Sequence, residues 1–235
     1  MNISVLLTGR GNNSLSDKNV ISVLGKPLLW YPAMAGKNVK GASSHFVSSE
    51  NDKILNEAHK VGYTKIVRPD EMAQPNSKHV DCIIHALHIM KKDYGIVPEI
   101  LVVLLANSAT IKSVWIDEAI SIMQADMSIS SVIPVQKNND HHPFRAKKII
   151  DGLLQTFVEV DENVSTNRQD LESCYYACHN FWILNLTKVS PPFEKGQLPW
   201  KFMGEKIVPY VIEHSLDVHN QDDIFLTEMW LKNNK

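Results

Sequence analysis

Residues 100–105 read Ile100-Leu101-Val102-Val103-Leu104-Leu105, an unbroken apolar run that gives way at once to Ala106-Asn107-Ser108-Ala109-Thr110. A short run with no polar alternation predicts a strand covered on both faces, as in parallel sheets flanked by helices. The same order occurs at the amino terminus, where residues 3–7 predict a buried strand leading into Thr8-Gly9-Arg10-Gly11-Asn12-Asn13-Ser14-Leu15-Ser16-Asp17-Lys18-Asn19.

Outward from these two strands, the pattern alternates. Helical spacing is expected at residues 26–35, 52–61, 79–90 and 114–125, and strands at 45–48, 65–67 and 130–135. Repeated β-α alternation predicts an α/β fold built on a mostly parallel sheet, with ligands gathered at the carboxyl ends of its strands. The loops after residues 7 and 105 both fall there. From residue 136 to 180 the alternation lapses into polar stretches and short β-like pieces around 154–160, which reads as an inserted arm. Order returns with a strand at 206–212, a polar loop at 217–223 and a closing helix at 222–232, in which Asp222 or Asp223 is expected as the N-cap. The expected organisation is an α/β domain over 1–135 and 181–235, interrupted by an arm over 136–180.

The totals narrow the function. With 44% hydrophobic and 21% charged residues among 235 and a formal net charge of -2, the chain suits an ordinary soluble protein, neither disordered nor basic overall, and nucleic acid is not the expected partner. The opening residues lack the basic region and cleavage site of a secretory signal, and no apolar stretch nears bilayer length, so a cytoplasmic protein with no membrane partner is expected. Three cysteines, Cys82, Cys174 and Cys178, argue against a disulfide scaffold.

The first loop combines glycine freedom, backbone amides and two cations, a composition suited to a triphosphate. Arg10 can fork across two phosphate oxygens, and Lys18 can neutralise charge on a leaving pyrophosphate. A glycine turn with solvated charges explains the loop equally well when it is taken alone. It fits neither the Walker pattern, lacking Gly-Lys-Ser/Thr, nor the dinucleotide fingerprint, lacking a third glycine.

A longer succession of motifs gives the loop a context. Arg10-Gly11, Asp17-Lys18-Asn19 and Leu24-Gly25-Lys26-Pro27-Leu28 resemble the opening of the acylneuraminate cytidylyltransferases. The resemblance continues through Arg68-Pro69-Asp70-Glu71-Met72-Ala73, His85-Ala86-Leu87, the strand 101–105, His141-His142-Pro143, Arg168-Gln169-Asp170-Leu171 and the tail 208–217. It implies a Rossmann-like nucleotidyltransferase fold with a dimerisation arm, and transfer of CMP from CTP to a nonulosonic, sialic-type sugar acid with release of pyrophosphate.

The resemblance also implies roles. Arg10 and Lys18 hold the nucleotide phosphates, and Gly9, Gly11, Asn13, Asn19, Arg68 and Asn107 complete the nucleotide site. Arg145 and Arg168 meet the sugar carboxylate, where paired guanidinium groups suit a bidentate anion; in the family this arm reaches a partner's cleft, so a homodimer is expected. A pair of aspartates one residue apart holds Mg²⁺ in the family, with Mn²⁺ as a substitute, and here those positions are Asp217 and His219. Strand alternation would turn both to one face, yet imidazole is a poor Mg²⁺ ligand, which leaves Asp217 as the principal metal residue. With Arg10 and Lys18 it forms the expected catalytic set.

Several positions depart from the family pattern. Asn12, Asn13 and Ser14 replace the usual glycine, serine and lysine, in a loop one residue shorter. Ala106-Asn107-Ser108-Ala109 replaces Gln-Pro-Thr-Ser, with Asn107 standing partly for the lost glutamine, and Cys178-His179 replaces Asn-Gly before Asn180, a further expected sugar contact. These changes point to a relative of sialic acid such as legionaminic or pseudaminic acid. Two other readings stay open: a same-fold nucleotidyltransferase for another sugar acid or sugar phosphate, and a nucleotide-sugar-binding relative with impaired catalysis. Cys174-x3-Cys178-His179 lacks a second pair of zinc ligands, and His85 with His88 lacks a third, so both read as ordinary buried or partly buried groups.

Overall fold

The computed structural model describes residues 1–11 and 15–234. In chain order the strands are β1 (Ile3–Thr8), β2 (Ala42–Ser49), β3 (Thr64–Val67), β4 (Ile100–Leu105), β5 (Ser131–Lys137), β6 (Lys147–Ile150), β7 (Leu153–Thr156), β8 (Tyr175–Ala177), β9 (Phe181–Asn185) and β10 (Ile207–Val211). The helices are α1 (Trp30–Lys37), α2 (Asp52–Lys60), α3 (His79–Tyr94), α4 (Ser113–Ala125) and α5 (Gln221–Asn233).

Eight of the strands form one sheet, in the order β8-β5-β9-β4-β1-β2-β3 with β10 along the outer side of β5. Strands β1, β2, β3 and β4 pair in parallel, as do β5 and β10, whereas β9 runs antiparallel to both β4 and β5. Side-chain alternation along the central strands builds two cores. Ile3, Val5 and Leu7 with Ile100, Val102 and Leu104 face α1, α2 and α4. Leu6, Leu101 and Val103 face α3 and the segment that carries Phe193 and Phe202. Each large side chain so enclosed contributes about 1.5–3 kcal/mol of burial.

The local departures from expectation have identifiable causes. The first helix begins at Trp30, not at residue 26, because Leu24 and Gly25 adopt positive φ and Lys26–Pro27 folds back in a two-residue ladder onto Ser22–Val23. Helix α3 runs on to Tyr94 and stops at Gly95, whose left-handed conformation supplies the cap. Strand β9, Phe-Trp-Ile-Leu-Asn, is fully buried although no strand is expected there from the sequence. Its signal was a four-residue apolar run hidden beside the irregular arm.

Strand β5 continues through Lys137 and is met there by β8, so residues 138–174 are the part that leaves the main sheet. Within this excursion β6 and β7 form a hairpin whose turn residues, Asp151 and Gly152, both have positive φ. That Asp-Gly pair is the sequence signature of a two-residue hairpin turn. No helix among the described residues is long and apolar enough to cross a membrane.

Candidate functional site

The chain leaves β1 toward β2 on one side of the sheet and returns through α3 to β4 on the other, so the sheet reverses direction between β1 and β4. A crevice opens at the carboxyl ends of strands at such a reversal. Here it is a cleft of about 750 Å³, counted to its open mouth, lined by Gly9, Arg10, Lys18, Asn19, Arg68 and Asn107 together with a second wall from residues 72–82.

Lys18 is 6% exposed. Withdrawal from water lowers its pKa, Asp217 opposes that shift, Arg10 adds to it, and Asp223 opposes it. Charges act on one another in this way only at short range, so the structure brings Arg10, Lys18 and Asp217 into one electrostatic neighbourhood despite some two hundred residues of separation.

The tail reaches the cleft because the loop after β4 holds it. Val218 N–H donates to the Asn107 carbonyl at 3.0 Å, Leu216 N–H to Thr110 Oγ1 at 2.8 Å, and Ser108 Oγ to the Leu216 carbonyl at 3.2 Å. Val218 is packed with Val23, Leu28, Ala109 and Ile224.

The glycine loop is clamped rather than open. Arg68 donates through Nη2 to the Gly9 carbonyl at 2.7 Å and to Glu50 Oε2 at 2.6 Å, and through Nη1 to Cys82 Sγ at 2.7 Å. Glu50 Oε1 accepts Gly11 N–H at 2.6 Å. Burial alone would raise the Glu50 pKa, but the bonds from Arg68 and Gly11 outweigh it and hold the carboxyl below its usual value. Arg68, which lines the cleft, thus directs both Nη groups onto the protein, and Gly11 N–H is given to a carboxylate. Gly9 N–H likewise donates to the Ser48 carbonyl. Gly9 and Gly11 are needed for close approach, since a Cβ on Gly11 would stand 2.4 Å from Asn51 Nδ2. Sequence reading missed Glu50, whose role appears only when Arg68 is seen beside it.

Asn19 is buried, donates to the Arg10 carbonyl at 2.8 Å and leaves its Oδ1 without a partner. Arg10 itself donates through Nη1 to the Gln74 carbonyl at 2.8 Å. Asn13 lies outside the described residues.

The expected metal residues divide. Asp217 is half-buried, and its Oδ1 is enclosed with no hydrogen-bond partner. His219 is exposed, with its N–H given to Asp223 Oδ2 at 2.7 Å. The strand alternation expected to align them does not arise, because β10 ends at Val211. The N-cap of α5 is Asn220 rather than an aspartate, with Asp223 completing a capping box. Among the described residues no three His, Cys, Asp or Glu side chains gather to hold a metal. An enclosed, unpaired carboxylate oxygen within electrostatic reach of Lys18 nevertheless fits Mg²⁺, which is commonly bound by one or two carboxylates plus phosphate oxygens and water.

The sugar-site expectations separate as well. Asn180 is fully buried, donates to the Thr110 carbonyl at 3.2 Å and accepts from Phe181 N–H, so it braces the loop after β4 instead of facing a ligand. Arg145 and Arg168 are exposed on the arm and do not line the cleft of their own chain. Arg168 Nη1 donates to both carboxylate oxygens of Asp140, at 2.6 and 2.7 Å, and that pairing holds the Asp140 carboxyl below its usual range. Cys174 and Cys178 are free thiols.

No protein-family model matches the chain. Among curated proteins it is 22% identical over 176 residues to the pseudaminic acid cytidylyltransferase and UDP-2,4-diacetamido-2,4,6-trideoxy-beta-L-altropyranose hydrolase of Helicobacter pylori, covering 74% of this chain and 32% of that one. It is 26% identical over 137 residues to the N-acylneuraminate cytidylyltransferase of Escherichia coli, covering 58% of this chain and again 32% of the relative. Both alignments thus span less than half of those relatives' length.

Among solved structures, a CMP:2-keto-3-deoxy-manno-octonic acid synthetase complexed with CTP superposes with a TM-score of 0.71 over 100% of both chains at 10% identity. A 4-diphosphocytidyl-2C-methyl-D-erythritol synthase from Anaerococcus prevotii superposes with a TM-score of 0.67, over 98% of this chain and 96% of the other, at 13% identity. The fold is the Rossmann-like fold of these nucleotidyltransferases, and the curated relatives support the family resemblance carried by the motifs.

Proposed function

We propose that this chain is a cytidylyltransferase that transfers the CMP group of CTP to a nonulosonic, sialic-type sugar acid and releases pyrophosphate. The observation that carries the reading is the electrostatic coupling of Lys18, which with Arg10 lines the cleft at the switch point of the sheet, to Asp217 from the far end of the chain. Two cations and a carboxylate with an unused oxygen form the electrostatic set that triphosphate chemistry needs, in a chain similar to two cytidylyltransferases of nonulosonic acids.

In this reading Arg10 and Lys18 hold the triphosphate and neutralise the charge that builds as the bond to the β-phosphate breaks. The hydroxyl oxygen of the sugar forms the new bond to the α-phosphorus as its proton passes to water, and pyrophosphate leaves with the electron pair of the broken bond. No side chain forms a covalent intermediate, since alignment and charge carry the step. Asp217 would hold Mg²⁺, which supplies further positive charge against the phosphates when bound. The Glu50–Arg68 clamp keeps the glycine loop, and with it Arg10, at a fixed height above the sheet.

The sugar acid is assigned to Arg145 and Arg168 from the arm of a second copy. The hairpin of that arm supports a homodimer: Ile149 is 74% exposed, Leu153 67%, Leu154 74% and Phe157 62%. A cluster of this kind is unusual on a monomer's surface.

A second acceptor class is favoured by one observation, the superposition along nearly the whole chain on synthases named for other acceptors. A pyrophosphate-release assay with CTP and Mg²⁺ or Mn²⁺, run against nonulosonic acids, 2-keto-3-deoxy sugar acids and sugar phosphates, decides between them. Release with a nonulosonic acid is expected. Release only with another acceptor replaces the substrate, and CTP binding without release under either metal replaces catalysis with binding.

A further inference from the structure

The second wall of the cleft is built from the 3-10 turn Asp70–Ala73, the loop after it and the first turn of α3. It offers few free polar atoms. Ser77 Oγ gives its proton to the Glu71 carbonyl at 2.9 Å and accepts from Gln74 N–H at 3.0 Å. The Cys82 thiol points at the Met72 carbonyl at 3.7 Å, and Arg68 has both Nη groups on the protein while its Nε is unpartnered but enclosed, out of a ligand's reach. His79 differs. Its Nε2 lies 2.9 Å from Thr8 Oγ1, and that hydroxyl has the Leu104 carbonyl as its own acceptor at 3.2 Å.

A hydroxyl has one proton. If Thr8 gives it to Leu104, the imidazole must supply the proton of the Thr8–His79 bond, which places the His79 hydrogen on Nε2 and leaves Nδ1 as an acceptor. Nδ1 has no hydrogen-bond partner among the described residues and is not sealed from solvent. Trp182, with its ring centroid 5.1 Å away, holds the imidazole plane. Burial, then Arg68 and His179, depress the pKa of His79 to about 4, so the ring is neutral near pH 7.

With phosphates assigned to the wall of Arg10 and Lys18, the neutral wall is left for the base, and we infer that His79 selects cytosine by accepting its exocyclic amine at Nδ1. Uracil carries a carbonyl at that position, an acceptor facing an acceptor. A site that pairs with a substrate N–H disfavours the analogue that lacks it. Thr8 is the positioning residue, since its hydroxyl fixes which ring nitrogen bears the proton. The inference rests on the cytidylyltransferase reading and adds the residue that makes the nucleotide CTP.

The test measures equilibrium binding of CTP and UTP by calorimetry on the full chain and on two variants, His79→Leu and Thr8→Val, each checked for folding by circular dichroism. The parent is expected to prefer CTP. Both variants lower the CTP:UTP ratio on the order of tenfold, the worth of one hydrogen bond. His79→Leu does so by losing CTP affinity. Thr8→Val also gains UTP affinity, because the other tautomer becomes accessible. If one variant does not fold, the other carries the comparison, and ¹⁵N spectra of the parent give the tautomer directly. An unchanged ratio in a folded variant, equal binding of both nucleotides by the parent, or an Nδ1-protonated ring overturns the assignment. If CTP binds selectively but no acceptor releases pyrophosphate, the transfer reading fails and the assignment of His79 stands.

Discussion

Burying an ammonium group costs free energy, and Lys18 bears that cost at 6% exposure with only partial relief from Asp217 and Asp223. Such an arrangement is compensated when an anion arrives, which is the behaviour expected of a phosphate ligand. Lys18→Ala is therefore expected to lower kcat/KM on the order of 10²-fold or more, as loss of one preorganised charge does. Its melting temperature should not fall, because a desolvated charge has been removed. Steady-state pyrophosphate release together with a thermal melt checks both, and near-normal turnover would take Lys18 out of the chemistry. At this scale the sequence supplied the cations at positions 10 and 18, and the tertiary structure supplied their burial and surroundings. Arg68 and Asn180 both resemble ligand contacts as letters, yet one is turned onto Gly9 and Glu50 and the other onto Thr110.

Among the elements, the clamp joins the ends of three parallel strands: Gly9 and Gly11 follow β1, Glu50 follows β2 and Arg68 follows β3. The Arg68 and Glu50 side chains are 3% and 11% exposed, so removing one leaves a buried charge unpaired. Glu50→Ala is expected to destabilise the fold by about 3–5 kcal/mol, read from urea unfolding, while the double variant Glu50→Gln with Arg68→Met recovers much of that loss. Equal stability of parent and Glu50→Ala would show that the pair does not hold the loop. The strands and helices of this half were legible because each is a short local pattern. Strand β9 was not, because its place between β4 and β5 comes from pairing with residues some fifty to eighty positions away.

For the molecule as a whole, the unpaired surface is the arm. Hairpin β6–β7 has an apolar exterior and makes no ladder with the main sheet among the described residues, a surface of the kind that a second copy would cover under the proposed reading. Light scattering on the parent is expected to give a dimer, and Leu154→Glu to shift it toward monomer with loss of transfer activity, since Arg145 and Arg168 would no longer reach a neighbour's cleft. A parent that stays monomeric at assay concentration, yet turns over a sugar acid, would detach the arm from the site.

Local order in the chain was enough to determine the alternation of strands and helices, the two loops at their carboxyl ends and the cations that the first of them carries. These depend on periodicity and residue type within a dozen positions. Tertiary structure alone decided that Asp217 comes within electrostatic reach of Lys18, that Glu50 takes Gly11 N–H, that β9 runs against its neighbours and that His79 has one ring nitrogen to spare. Each of those follows from a contact between distant segments, where burial and hydrogen-bond geometry, not residue type, select which polar group is spent on the fold and which remains for a ligand.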